Sequence, residues 1–164
     1  MEKETEYVED ILHYIALFRG IFINKMSYIE RTIELVIADH YCKNGLSVEF
    51  VDFIIGEKHV SFDSKKVIFE KILQKHHKDY YEKSKHLLKK IEFFQPHRNK
   101  LAHYMACLTD ESIEKFKKDK TFGLIQYLEL KEPVWYDVDL QTKVSISIDD
   151  VFEWCKIPIG NTPS

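Results

Sequence analysis

Residues 15–36 read IALFRGIFINKMSYIERTIELV. Ile15, Phe18, Phe22, Met26, Ile29, Ile33 and Val36 recur at spacings of three and four, the period that lines one face of an α-helix. Ile21, Tyr28 and Leu35 add a second apolar row, so the face is expected to be wide and deeply packed. The pattern predicts a helix from about Glu6 to His40, the first of several that make the expected fold class mainly α. Gly20 would mark a break in it or a close helix crossing.

Downstream, Lys43-Asn44-Gly45 is a stop signal, and Val48 to Ile55 is ambiguous between helix and strand. Ser61 and Asp63 offer N-caps for a long second helix, roughly Ser64 to Phe94. Its apolar stripe would be Phe69, Ile72, Leu73, His76, Tyr80, Leu87, Ile91 and Phe94. Pro96 stops that helix and suits the first turn of a third, from Pro96 to about Leu108, with Leu101, Met105 and Leu108 inward. Thr109 or Asp110 would cap a short fourth helix through Lys117. Beyond Lys120 the character changes. Phe122 to Leu130 and Val134 to Ile148 are rich in β-branched and aromatic residues, and Val144-Ser145-Ile146-Ser147-Ile148 alternates with a period of two. A small hairpin, a short helix from Asp149 to Lys156 and a loose tail from Pro158 to Ser164 are expected. No repeat or linker divides the chain. The expected organisation is one domain over residues 1–164: a helical bundle at about 10–118, the hairpin and short helix at 120–156, and the tail at 158–164.

Composition narrows the function classes. With 164 residues, 45% hydrophobic and 31% charged, the chain is long enough for a core and too apolar for disorder. No apolar run reaches the roughly 18 residues of a membrane helix. The opening MEKETEYVED lacks the basic head and apolar middle of a signal peptide, so a cytoplasmic protein is expected. Cys42, Cys107 and Cys155 are odd in number and form no CxxC pair, which disfavours a disulfide framework or zinc ribbon. Neither GxGxxG nor GxxxxGK[ST] occurs, so no nucleotide cofactor is expected. The net charge of −3 excludes a globally basic nucleic-acid binder. Residues 65–100 nevertheless carry eleven Lys and Arg against four acids, and such a segment either tracks a phosphate backbone or is a solvated helix face.

The stretch with chemical content is Phe94-Gln95-Pro96-His97-Arg98-Asn99-Lys100-Leu101-Ala102-His103-Tyr104. A helix start at Pro96 would put free N–H groups and a positive dipole end beside Arg98, whose planar fork suits phosphate. Asn99 and His103 are four apart and share a helix face. Arg98 and His103 are five apart, about 140° around an ideal helix, and meet at one ligand only if Arg98 reaches around from the first turn. Histidine is the side chain whose ordinary charge change lies near neutrality, which makes His103 the candidate proton-transfer group. Arg98 and His103 are therefore the candidate catalytic pair, with His97, Asn99 and Lys100 as candidate substrate contacts. The alternative is that Arg98 caps a neighbouring helix and His103 merely packs.

Arg98-Asn99-Lys100-Leu101-Ala102-His103 resembles the signature of HEPN domains, an Arg followed by four to six residues and a His, with a polar residue after the Arg. Ile29-Glu30-Arg31-Thr32-Ile33-Glu34 and the helix entry Ser61-Phe62-Asp63-Ser64-Lys65 also look like bacterial members. The resemblance covers roughly residues 10 to 118. It implies a compact antiparallel helical bundle, to which the hairpin and last helix would be an addition. It also implies a metal-independent endoribonuclease of a toxin–antitoxin or other defence system, dimerising so that two motifs face one cleft. On that likeness Arg98 and His103 would be catalytic and Asn99 would support them. The implied partners are a second copy, RNA and an antitoxin or defence protein. Other members of the family are non-catalytic binding modules. One toxin subgroup carries a Tyr two positions after the His; here Met105 stands there and Tyr104 precedes it.

The remaining candidates have plainer readings. His76-His77 with Asp79 or Tyr80 nearby forms no HExxH-type pair, so no metal site is expected. Cys107 and Cys155 sit among apolar residues as buried thiols. Glu30 and Glu34 either orient His103 or are ordinary helix-surface acids. Trp135 and Trp154 read as packing residues.

Overall fold

The structure is a computed structural model that describes residues 2–42, 46–56, 60–126 and 132–156, with side chains from residue 7 onward. Helix α1 spans Glu2–Tyr41, α2 Ser47–Phe50, α3 Phe62–His76, α4 Lys78–His103, α5 Asp110–Asp119 and α6 Val138–Cys155. A π-helical turn, Val51–Ile55, extends α2 and resolves the ambiguous segment as helical. Strands β1 (Met105–Ala106), β2 (Phe122–Ile125) and β3 (Val134–Tyr136) form one antiparallel sheet in that order. Helices take 81% of the described residues, so the fold is mainly α. The stop at Lys43–Gly45 and the tail from Pro158 lie outside the described residues.

Two compact units make up the chain. The first comprises Met1–Lys25 and Ile91–Asp149. Its core joins Ile11, Ile15 and Phe22 of α1 to Ile91, Phe94 and Leu101 of α4, Phe116 of α5, Phe122 and Tyr136 of the sheet, and Val144 and Ile148 of α6. The Phe122 and Tyr136 rings, paired across β2 and β3, stack at 5.1 Å. At Gly123 a Cβ would stand 3.0 Å from the Trp135 ring and 3.1 Å from Cys107, so any side chain there would need its neighbours to give way by a few tenths of an ångström. Gln141 is buried and fully used: it accepts from the Tyr14 hydroxyl and donates to the carbonyls of Lys120 and Tyr136.

The second unit comprises Met26–Lys90 and Asp150–Ser164. Met26, Ile29, Ile33 and Ile37 of α1 meet Val51 and Ile55, Phe69, Ile72 and Leu73 of α3, and Leu87 and Leu88 of α4 in its core. Trp154 stacks on Tyr80 and meets Phe69 edge-on. Lys65 lies fully buried, its ammonium 2.7 Å from Glu30 Oε1 and 2.6 Å from Glu34 Oε1.

Caps fall as the sequence indicated. The Ser61 hydroxyl accepts from the Ser64 amide at the head of α3, and the Thr109 hydroxyl from the Ser112 amide at the head of α5. Several expectations are overturned. The long helix from Ser64 to Phe94 breaks at His77, whose φ of −135° and ψ of 52° leave the helical region. No residue from Gln74 to Lys83 is fully buried, and the first apolar anchor beyond the break is Tyr80, stacked on Trp154. His76, assigned to the core stripe, is exposed. Pro96 starts no helix: α4 runs through it to His103. An interior proline costs about 3 kcal/mol. Burial of Phe94 and Leu101 on the opposite face, at about 1.5–3 kcal/mol each, offsets that. Met105 and Leu108 are consequently not inward helical residues; both are exposed, and Met105 belongs to β1. Gly20 marks neither break nor crossing, since α1 continues and a Cβ there would meet nothing within 4 Å. Ile21, Tyr28 and Leu35 are exposed rather than deeply packed.

The hairpin forms between Phe122–Ile125 and Val134–Tyr136, but Val144–Ile148 is no strand. It is the middle of α6, which begins eleven residues before the expected short helix. Gln141, Val144, Ile148 and Val151 are buried at spacings of three, four and three, while Ile146 is exposed. The Asp137 carboxylate accepts from the Leu140 amide at 2.7 Å and caps the helix.

Candidate functional site

Because α4 continues through Pro96, the Arg98–His103 motif occupies the helix's C-terminal turns. Free carbonyls, not free N–H groups, end a helix there. The first-turn anion site expected beside Arg98 is therefore not built. Asn99 and His103 are exposed and share a face, as their spacing predicts. Arg98 is half-buried and stands about 140° around the helix from His103.

A different face of the same turns is better furnished. His97, Lys100 and Tyr104, spaced three and four apart, form one row. His97 Nδ1 lies 2.9 Å from the Tyr136 hydroxyl, and the Tyr104 hydroxyl donates to Gln126 Oε1 at 3.2 Å. From α1, Arg19 Nη2 donates to the Tyr104 carbonyl, satisfying an orphan acceptor at the end of α4. Arg19 Nε is buried and has no hydrogen-bond partner among the described residues.

The electrostatics of this cluster follow from burial. Desolvation lowers the Arg19 guanidinium below the usual arginine range, against an opposing effect of Tyr136. Burial, then the Lys100 charge, lowers His97 and favours a neutral imidazole. Burial pushes the Tyr136 hydroxyl up, so it keeps its proton. Arg19 and Tyr136 escaped the sequence reading. The available signal was a single cation, Arg19, set between Phe18 and Phe22 on the core face of an apolar helix.

Other candidates resolve into structure. Glu30 and Glu34 are not surface acids; both are buried and accept from Lys65. Lys65 thereby leaves the basic surface, Lys85 pairs with Glu82 at 2.8 Å, and Lys90 pairs with Asp150. The His76 ring lies 4.5 Å from that of His40. Among the described residues no group of three or more His, Cys, Asp or Glu is placed to hold a metal ion. Cys107 is buried, and burial pushes the Cys155 thiol up to about 12. Trp154 is a core residue, as read, and Trp135 carries the Lys115 ammonium 3.7 Å from its ring centre. A cavity of about 260 Å³ opens between α1 and α6, floored by Phe18, Phe22 and Ile148 with the Lys25–Asp149 ion pair on its wall; no motif residue lines it. Among the described residues no helix is long and apolar enough to cross a membrane.

No family model, no curated protein and no solved structure matches the chain.

Proposed function

We propose that the chain is a HEPN-like, metal-independent endoribonuclease of a toxin or defence system, acting in the cytoplasm as a homodimer that engages RNA and a controlling antitoxin or defence partner. One observation carries the reading: a mainly α chain presents Arg98 and His103 on the last two turns of one helix, the guanidinium half-buried and the imidazole open to solvent. A cation and an accessible imidazole are the two groups that attack by a ribose 2′-hydroxyl needs, one to neutralise the phosphorane and one to move the proton. The exposed row Ile21, Tyr28 and Leu35 supplies apolar surface for a second copy.

His103→Ala should lower cleavage of RNA by about 10²–10⁴-fold, the usual size of a general acid–base contribution, with an unchanged circular-dichroism melt. Cleavage should persist in EDTA and spare DNA, which lacks the nucleophile. Cleavage by His103→Ala at the wild-type rate ends the proposal. The second reading, a non-catalytic HEPN-like RNA- or protein-binding module, is favoured by the 140° separation of Arg98 and His103 on a helix that does not begin beside them.

A further inference from the structure

We propose that the cavity between α1 and α6 binds a free α-amino acid with a large apolar side chain. Its lining lies wholly within the first unit. The floor is apolar and held from behind. Phe22 and Ile148 are buried and Phe18 is half-buried. The Phe18 ring meets Phe122 edge-on at 5.6 Å and Tyr136 at 6.2 Å, and the Phe22 ring meets Phe94 edge-on at 6.2 Å. The core therefore fixes this surface before a ligand arrives, and a preorganised surface binds without an ordering cost. The volume of about 260 Å³ falls below the roughly 300–1,000 Å³ of pockets for drug-sized ligands, so it suits a smaller molecule.

The remaining lining is charged and open. Lys25 and Asp149 stand one turn beyond Ile21 and Ser145 on their helices, so their ion pair closes one end of the cavity. The two side chains are 26% and 49% exposed, which leaves both ions within reach of a ligand. The pairing selects what binds. A ligand with a single charge meets one opposite and one like ion side by side, so attraction and repulsion largely cancel. A ligand with both charges turns its carboxylate to Lys25 and its ammonium to Asp149, and both terms then attract. An α-amino acid carries the two groups on one carbon, and its side chain continues onto the Phe18, Phe22 and Ile148 floor. The Ser145 hydroxyl adds a donor and acceptor beside them. No residue of the Arg98–His103 motif lines the cavity, so the site goes beyond the nuclease reading and does not rest on it.

The test is a titration with L-phenylalanine of protein labelled at its isoleucine methyls, following Ile21 and Ile148 by NMR. A saturable shift is expected by about 5 mM for a ligand of this size. Phenylpropionate and phenethylamine keep the ring and one charge, and should bind about tenfold more weakly, the scale of one charge-assisted hydrogen bond. Glycine keeps both charges without the side chain and should leave the methyls still. Asp149→Asn and Lys25→Gln each remove one member of a part-exposed pair and should leave the thermal melt nearly unchanged. Asp149→Asn should weaken L-phenylalanine about tenfold and turn the preference to phenylpropionate. Lys25→Gln should turn it to phenethylamine. A damaged fold would weaken all three ligands and could not exchange their order. Methyls that stay still to about 20 mM L-phenylalanine overturn the proposal. So do glycine or one-charge ligands that bind as well as L-phenylalanine, and variants that keep the wild-type order of preference.

Discussion

Two cations drawn into the interior meet opposite fates in this molecule. In the second unit, Lys65 is fully buried and answered by two carboxylates, Glu30 and Glu34, one turn apart on α1. In the first unit, Arg19 gives up hydration at Nε and gains a carbonyl and, among the described residues, no acid. Burial acts on both in the same direction. For Lys65 desolvation is outweighed by the hydrogen bonds and charges of Glu30 and Glu34, and its ammonium is held above the usual lysine range. For Arg19 desolvation wins and the guanidinium is lowered. A compensated charge is part of how a unit is built. An uncompensated one is held by packing and a single carbonyl, at a cost in lost hydration.

The largest effect should come from Lys65→Met. It strands two carboxylates in the core, and loss of one partner of a buried pair costs about 3–5 kcal/mol, read as a fall in the denaturant midpoint. Adding Glu30→Gln and Glu34→Gln should recover most of it; a triple variant no better than the single would mean that Lys65 acts by packing alone. The next test is alkaline. A folded-state lysine raised above its unfolded value contributes stability in full below about pH 10.4 and loses it as pH rises through the higher folded value. Wild type should therefore lose stability relative to the triple variant above about pH 10.4, and parallel curves would dissolve the contrast. The smallest effect belongs to Arg19→Met. It removes one hydrogen bond but also an unanswered charge, so stability should change by about 1 kcal/mol or less. A loss as large as that of Lys65→Met would show that Arg19 is structural after all.

What was legible in the sequence was whatever local pattern and burial agreed on. The periodicity of Ile15 to Ile33 gave α1, and Ser61 and Thr109 gave the starts of α3 and α5 with their hydrogen bonds. Val144–Ile148 misled because serines interleave the apolar residues over five positions, too short a window to separate a period of two from 3.6. Extended to Gln141 and Val151, the same residues trace a helical stripe. His77 carries no Gly or Pro to announce a break, and no local pattern marks it. Pro96 carries the signal for a helix start, but apolar residues on both sides of it held the existing helix together. The motif itself was plain. Its surroundings were not, because Arg19 and Tyr136 arrive from positions 78 and 39 residues away from His97, a tertiary fact no spacing encodes.

The proline inside α4 also sets what holds the end of that helix. Pro96 has no N–H to offer the Glu92 carbonyl, and both residues face solvent. The ladder of α4 therefore has a missing rung one residue before His97. What bridges that gap is tertiary: Leu101 in the core, His97 on the Tyr136 hydroxyl and the Arg19 guanidinium on the Tyr104 carbonyl pin the turns beyond it, so the end of α4 owes its helical form to its neighbours more than to its own ladder.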